Sequence, residues 1–187
     1  MMQEMFLSAA RPFYHSADML ELIAIAPDIY IPFIVGHFLK RNRQIEVADV
    51  ERVYTLFKGH TFYIQKTFNE AFADTPEGEI CTLEMIRAAI NNMIAANDTI
   101  FREILSNIPE KQKELLYAIA KDGEAERITS GSFIKRHSLT SASSVQSAVK
   151  KLLEKDIITE TNKVFSLTDK LFSMWINQIY GNKSIFL

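Results

Sequence analysis

The segment 140–155 constrains the fold more than any other part of this chain. Its apolar residues recur at i, i+3, i+4, i+7 and i+8, a spacing that lines one helix face about 100° wide. These residues are Val145, Ala148, Val149, Leu152 and Leu153. The hydroxyl of Thr140 or Ser141 can cap the start, and lysines near the carboxyl end suit the helix dipole. We therefore predict an amphipathic helix with a polar outer face.

The flanking segments place this helix in a larger motif. A second short amphipathic segment, 132–137, precedes it. Two short strand-like runs, 157–161 and 164–167, follow it on either side of Asn162 and Lys163, which form a plausible hairpin turn. The order helix, turn, helix and two-stranded hairpin is that of a winged helix.

The N-terminal part has strong helical signals. We predict four helices: one from Pro27 to about residue 40, one over 47–57, one over 60–72, and one that Thr82 caps and that bends near Asn97 before it ends at Leu105. Gly59 ends the second helix as a C′ glycine. The residues expected in the core include Ile31, Ile34, Val35, Phe38, Leu39, Val50, Val53, Tyr54, Phe57, Phe62, Ile64, Phe68 and Phe72.

The pattern places a domain boundary at Ile108 followed by Pro109. Proline is favoured at the first position of a helix, so Pro109 is expected to start the next helix at N1. A charged loop is predicted over 122–127, and Thr168 or Asp169 caps a last helix. The predicted fold is mainly α: a helical bundle over 1–107, then a winged-helix domain over 108–187 with a small β-hairpin.

Composition excludes several classes of protein. No apolar run approaches the roughly 18 residues that a membrane span needs. The start, Met-Met-Gln-Glu-Met-Phe-Leu, lacks the basic region of a secretory signal. The single cysteine, Cys81, excludes an internal disulfide and is expected to be a buried small hydrophobe. These features favour a cytoplasmic protein.

The motifs of common catalytic sites are missing from the sequence. It contains no G-x-x-x-x-G-K-[ST], G-x-G-x-x-G, H-E-x-x-H or paired C-x-x-C. The four histidines have no short metal-ligand spacing among them. We therefore expect a non-enzymatic chain with no metal and no cofactor of its own.

The charge distribution favours a phosphate-facing C-terminal half. Residues 1–106 hold 9 Lys and Arg against 14 Asp and Glu, whereas residues 107–187 hold 12 against 9. Hydroxyls, amides and lysines suit DNA contacts in a major groove. The alternatives are a solvated helix face and a protein-docking module. The predicted DNA-binding residues are Lys135, Arg136, Ser143, Ser144, Gln146, Ser147, Lys150 and Lys151.

Four stretches together resemble a known family. They are Gly59-His-Thr-Phe-Tyr-Ile-Gln65, Arg11-Pro-Phe-Tyr-His-Ser-Ala-Asp-Met-Leu-Glu-Leu22, the pair 108–120 with 141–148, and Ser166-Leu-Thr-Asp-Lys-Leu-Phe-Ser-Met-Trp175. Their order is similar to that of the helical lid and winged helix that follow the core of archaeal-type P-loop ATPases, a branch of the AAA+ class also common in Bacteroides-like bacteria.

The resemblance implies a parent protein that binds ATP and Mg²⁺ through an N-terminal core absent from this chain. It places Gly59, His60 and Thr61 close to the nucleotide. The local interpretation of the same residues is a helix C-cap followed by an N-cap. Relatives often have Tyr-Gly-Arg where this chain has Tyr14-His15-Ser16, so no arginine here inherits a phosphate-sensing role. The alternative hypotheses are a freestanding winged-helix transcriptional regulator, whose N-terminal bundle dimerises or senses a ligand, and an interaction-only adaptor.

Overall fold

A computed structural model describes residues 23–181 of the chain. The resemblance over 11–22 lies outside this range. The N-terminal elements are α1 (Pro27–Leu39), β1 (Gln44–Ile45), α2 (Val47–Leu56), α3 (Thr61–Asp74), β2 (Ile80–Cys81), α4 (Leu83–Ala96) and α5 (Asp98–Ser106). The C-terminal elements are α6 (Glu110–Asp122), β3 (Ala125–Glu126), α7 (Gly131–Arg136), α8 (Ala142–Glu154), β4 (Ile158–Thr161), β5 (Val164–Leu167) and α9 (Lys170–Tyr180).

The N-terminal helices pack around a common apolar core. Val50, Val53, Ile64 and Ile90 are fully or almost fully buried there, and Cys81 is buried as predicted. Thr82 caps α4 by accepting a hydrogen bond from the backbone N–H of Met85. The bend predicted near Asn97 is a break between α4 and α5.

A two-residue parallel bridge between β1 and β2 joins the links that follow α1 and α3. Gln44 pairs with Ile80, and Ile45 with Cys81. The sequence gives no sign of this bridge, because two residues are too few to show any periodicity.

The C-terminal part has the predicted helix–turn–helix and hairpin. Its sheet has three strands in the order β3-β5-β4, all antiparallel. The prediction of a loop over 122–127 was wrong, since Ala125 and Glu126 form the third strand and pair with Phe165 and Val164. Helix α6 packs against both α8 and α9.

Polar contacts join the last helix to the rest of the molecule. The Trp175 Nε1–H donates to Asp98 Oδ1 over 2.8 Å, and the Asn177 side-chain amide donates to the Ala120 carbonyl over 2.7 Å. The Tyr63 hydroxyl donates to Asp169 Oδ1 over 2.8 Å. Helix α9, an element of the winged-helix part, and its N-cap Asp169 therefore contact both the N-terminal bundle and α6, so the two parts touch each other across the predicted boundary at residue 108.

Three local predictions need correction. Leu39 and Phe62 were expected in the core but are 58% and 60% exposed. Both residues lie in helices as predicted, but on the exposed face of the helix and not on the buried one. Pro109 is the N-cap of α6, with extended backbone angles, and the helix starts at Glu110. No helix within residues 23–181 is both long and apolar enough to cross a membrane.

Candidate nucleic-acid interface

Helix α8 exposes a polar face to solvent because its apolar residues pack into the core. Ser141, and not Thr140, caps the helix by accepting a hydrogen bond from the Ser144 backbone N–H. Three apolar residues, Val145, Ala148 and Leu152, are buried against the neighbouring helices. Since these residues fix the rotation of the helix about its axis, the opposite side must face solvent.

A groove of about 700 Å³ separates α8 from the hairpin of β4 and β5. Its floor is apolar and includes Val149, Leu153 and Phe165, all half-buried. Phe165 stands opposite Glu160 in the hairpin register, so both side chains lie on the helix-facing side of the wing. Val149 and Leu153 were expected on the core face, whereas they form the edge of that face and open onto the groove.

The hairpin turn consists of the two predicted residues. Asn162 and Lys163 have φ values of 53° and 66°, and the flanking Thr161 and Val164 are paired. Two successive left-handed residues in a two-residue loop are the signature of a type I′ turn. The turn places the exposed Lys163 at the tip of the wing, where it lines the groove.

Three cations line this groove with no carboxylate of residues 23–181 within ion-pair distance. Arg127, Lys150 and Lys163 form no ion pair with any residue in the described range 23–181. Two carboxylates, Glu126 and Glu160, line the same groove and offset part of the charge. The rim is therefore basic by one charge, and its cations are available to an external anion.

The predicted residues on α8 divide between two flanks of the helix. Gln146 and Lys150 line the groove, and Ser147 is exposed beside them. Ser143 is also exposed, and its hydroxyl lies 3.1 Å from that of Ser141. Lys151 is turned about 100° from Lys150 and forms an ion pair with Glu154 at 2.8 Å. The half-buried Ser144 lies on that same flank, away from the groove.

The two predicted residues on α7 lie outside the groove. The Arg136 guanidinium donates to Asp122 Oδ2 over 2.5 Å, and His137 Nε2 lies 3.1 Å from the same oxygen. Arg136 and His137 line a separate depression beside Tyr117, between α6 and the end of α9. Lys135 is exposed and forms no ion pair within the described residues.

Sequence reasoning missed Arg127 and Lys163 as groove residues. The signal for Lys163 was present, because a basic residue in a predicted hairpin turn stands at the tip of the wing. Arg127 carried no such signal, since the strand that positions it, β3, is only two residues long.

The three residues that the family resemblance places near a nucleotide have local structural roles. Gly59 adopts φ +75°, and a Cβ there would approach the Tyr54 hydroxyl to 2.8 Å. The His60 ring stacks on Tyr63 with centroids 4.6 Å apart, and Thr61 begins α3. Burial, together with Asp169, raises the pKa of the Tyr63 phenol, which stays a neutral donor to that carboxylate. Proximity to a nucleotide stays a prediction.

No group of three or more His, Cys, Asp or Glu side chains within residues 23–181 is arranged to hold a metal ion.

Comparison with known families agrees with this geometry. Residues 99–178 match the family described as "Probable winged helix domain". This part of the chain is a winged-helix domain. The match starts within α5, the helix that Trp175 contacts through Asp98. The chain matches no curated protein and no solved structure. Winged-helix domains commonly bind DNA, and the matched residues include α8, the wing and the groove between them.

Proposed function

We propose that the winged-helix domain binds duplex DNA, with α8 in the major groove and the wing beside the phosphate backbone. The observation that carries this proposal is the set of unpaired cations around the groove, Arg127, Lys150 and Lys163. Lysine and arginine supply most of the affinity for DNA by neutralising phosphates and releasing counterions.

The polar face of α8 supports the same proposal. Gln146 and Ser147 are exposed, short enough to allow close approach, and able to donate and accept hydrogen bonds at base edges. Lys150 lies one turn further along and is positioned for a phosphate at the groove edge. This division gives Gln146 and Ser147 a role in sequence recognition and the cations a role in affinity.

Charge reversal tests the proposal. The double variant Lys150→Glu/Lys163→Glu should lose most of its affinity for a random-sequence duplex. The slope of log affinity against log salt should fall by roughly 0.9 for each phosphate that the variant no longer neutralises. Lys66→Glu is the matched control, because Lys66 is also exposed but lies on α3, outside the groove. Equal binding by the double variant and wild type at every salt concentration would contradict the proposal.

Protein docking is the second candidate, and the groove floor favours it. Val149, Leu153 and Phe165 give the groove more apolar than polar surface, and two carboxylates lie among its cations. Wild-type protein that fails to bind duplex DNA even at low salt would favour docking over DNA binding. In that case Leu153→Ser, which makes the floor polar, should impair recognition more than Lys150→Glu.

The ATPase parent is a wider proposal that rests on the resemblance alone. In it, the N-terminal bundle is a lid over an ATP- and Mg²⁺-binding core, and the winged helix is its non-catalytic DNA- or protein-binding module. The size of the native gene product tests it. A product of about 50 kDa with a P-loop upstream of Met1 would support it. A product of 21.4 kDa would favour the freestanding regulator.

A further inference from the structure

One face of helix α1 is apolar and uncovered. The helix buries Tyr30, Ile34 and Phe38. The solvent-facing side carries Ile29, Phe33 and Leu39, which are 65%, 62% and 58% exposed. Phe33 stands at the edge of this side, where its ring stacks with Tyr30 and His37. Pro32 and Gly36 lie between them, and the exposed Asp28 stands at the N-terminal end of this face as its charged residue. We call these five residues, Ile29, Pro32, Phe33, Gly36 and Leu39, the outer face of α1.

The composition of α1 indicates that this face is covered when the protein functions. Asp28 is its one Asp, Glu, Lys or Arg residue, and His37 is its one histidine. A surface helix of a globular protein has a polar side, whereas a helix that is apolar all round is buried on all sides. Exposed large apolar side chains that form a continuous patch mark an interaction surface.

Gly36 supplies an independent indication. Glycine in the middle of a helix destabilises it, so such a residue needs a reason. Residues 23–181 offer none: Gly36 is helical, and a Cβ added to it would meet no atom of these residues within 4 Å. The missing side chain instead allows another backbone to approach the outer face closely.

We propose that the outer face of α1 pairs with the same face of a second copy of this chain, the two helices running antiparallel about a two-fold axis. In this arrangement Pro32 lies against the partner's Gly36, and Ile29 lies against the partner's Leu39. The gap left by the glycine accommodates the proline ring. At each end of the interface, the apolar side chain of one helix is buried against that of the partner helix.

The charges at the ends of α1 favour the antiparallel arrangement. Asp28 stands in the first turn and Lys40 directly follows the last, and neither forms an ion pair within the described residues. An antiparallel pair brings Asp28 to the level of the partner's Lys40, within reach of the lysine side chain, at both ends. A parallel pair would instead place like charges together. The face is therefore complementary to itself, as a two-fold interface requires.

The dimer gives the winged helices a defined relationship. The two-fold axis between the two α1 helices also relates the two copies of α8, and such a symmetric pair matches a palindromic DNA site. Only this consequence rests on the proposed DNA binding. The pairing of α1 does not depend on it.

Sedimentation equilibrium of the full chain without DNA tests the dimer. Wild type is expected to dimerise at micromolar concentration, and Phe33→Asp to be monomeric. Ile100→Asp is the matched control and should still dimerise, because Ile100 is 54% exposed but lies on α5. A wild type that stays monomeric over the whole concentration range, or dimers that persist in Phe33→Asp, would overturn the proposal.

Gly36→Leu separates association from folding. The substitution should weaken dimerisation by about tenfold or more. Circular dichroism of diluted monomer should meanwhile show at least as much helix as wild type, because leucine is the better helix former. Unchanged association would contradict the close approach of the two backbones.

A charge exchange tests the antiparallel orientation. Asp28→Lys should weaken the dimer, and adding Lys40→Asp should restore it, since both ion pairs return with reversed signs. Failure of the double variant to recover would rule out this orientation. All three measurements are made without DNA, so their outcome is independent of whether the winged helix binds a duplex.

Discussion

The indole of Trp175 donates a hydrogen bond to Asp98 over 2.8 Å and so fastens the last helix, α9, to α5. Trp175 is only 2% exposed, and its ring packs near Phe101 and Phe172, with centroids 5.8 and 5.9 Å away. Arg102 binds the other oxygen of Asp98, Oδ2, over 2.8 Å. One carboxylate thus links a buried aromatic cluster to a surface ion pair.

Removal of the indole should damage the whole winged-helix domain. Trp175→Ala leaves a large cavity between α9 and α5, and substitutions of this kind cost about 3–5 kcal/mol. That is a large fraction of the stability of a typical domain, so the variant should unfold at much lower denaturant concentration. Urea titration followed by circular dichroism measures the change. The exposed Tyr180→Ala serves as the control and should cost less.

The Asp98 carboxylate should make stability depend on acid pH. Hydrogen bonds from Arg102 and then from Trp175 lower the pKa of Asp98 below its ordinary value of 3.8. A lowered pKa contributes stability above the unfolded value, and this contribution is lost as the pH falls through the folded pKa. Wild type should therefore exceed Asp98→Asn in stability near neutral pH. The two melting curves should converge below pH about 4, and a constant difference between them down to the lowest pH would contradict this origin.

A charge in the core of α8 should unfold the domain. Leu152 is fully buried, so Leu152→Asp places an unpaired carboxyl group among apolar side chains. The cost is several kcal/mol, comparable with the stability of a small domain. Lys151→Asp, at the exposed neighbouring position, should leave the fold intact. Limited proteolysis distinguishes the two variants. If Leu152→Asp resists protease as well as wild type does, Leu152 is not packed in the core as described.

The cap of α8 depends on Ser141. Its hydroxyl accepts from the Ser144 backbone N–H, and loss of such a cap costs about 1 kcal/mol. Ser141→Ala should lower the melting temperature more than Thr140→Ala. The Thr140 hydroxyl accepts only from the exposed Lys111 side chain among the described residues. The reverse order would assign the cap to Thr140.

Gly59 should tolerate no side chain. Its φ of +75° disfavours other residues, and an added Cβ would lie 2.8 Å from Ala24 Cβ and from the Tyr54 hydroxyl. Gly59→Ala should therefore cost more than the roughly 1–3 kcal/mol of backbone strain alone. Gly78 is the control: its φ is +86°, but nothing lies within 4 Å of an added Cβ. In thermal melts, Gly59→Ala should lower the melting temperature more than Gly78→Ala, because only Gly59→Ala adds the steric clash.

The sequence predicted those parts of the fold in which local signals and packing agree. Helix α8 has its amphipathic spacing and a cap, and the hairpin has a turn at Asn162 and Lys163 whose geometry the structure confirms. The strands β1, β2 and β3 escaped prediction because two residues give no period. Only tertiary pairing defines strands that short.

Which apolar residues are buried was harder to predict than which segments are helical. Leu39 and Phe62 are helical as expected, yet both face outward. On α1 the cause is an apolar pattern without a polar side, so the periodicity does not say which face meets the core. The groove could not be predicted from the sequence either, because Lys150 and Lys163 come to line the same groove only when the wing folds beside α8.

The most direct test of the DNA-binding proposal is to locate the surface that a duplex contacts. Backbone amide chemical shifts of the full chain, recorded by NMR while unlabelled duplex DNA is added, provide this map. The proposal predicts shifts concentrated at Gln146, Ser147 and Lys150 on α8 and at Lys163 in the wing. Shifts confined to the depression beside Tyr117 and Arg136, or no shifts at low salt, would contradict it.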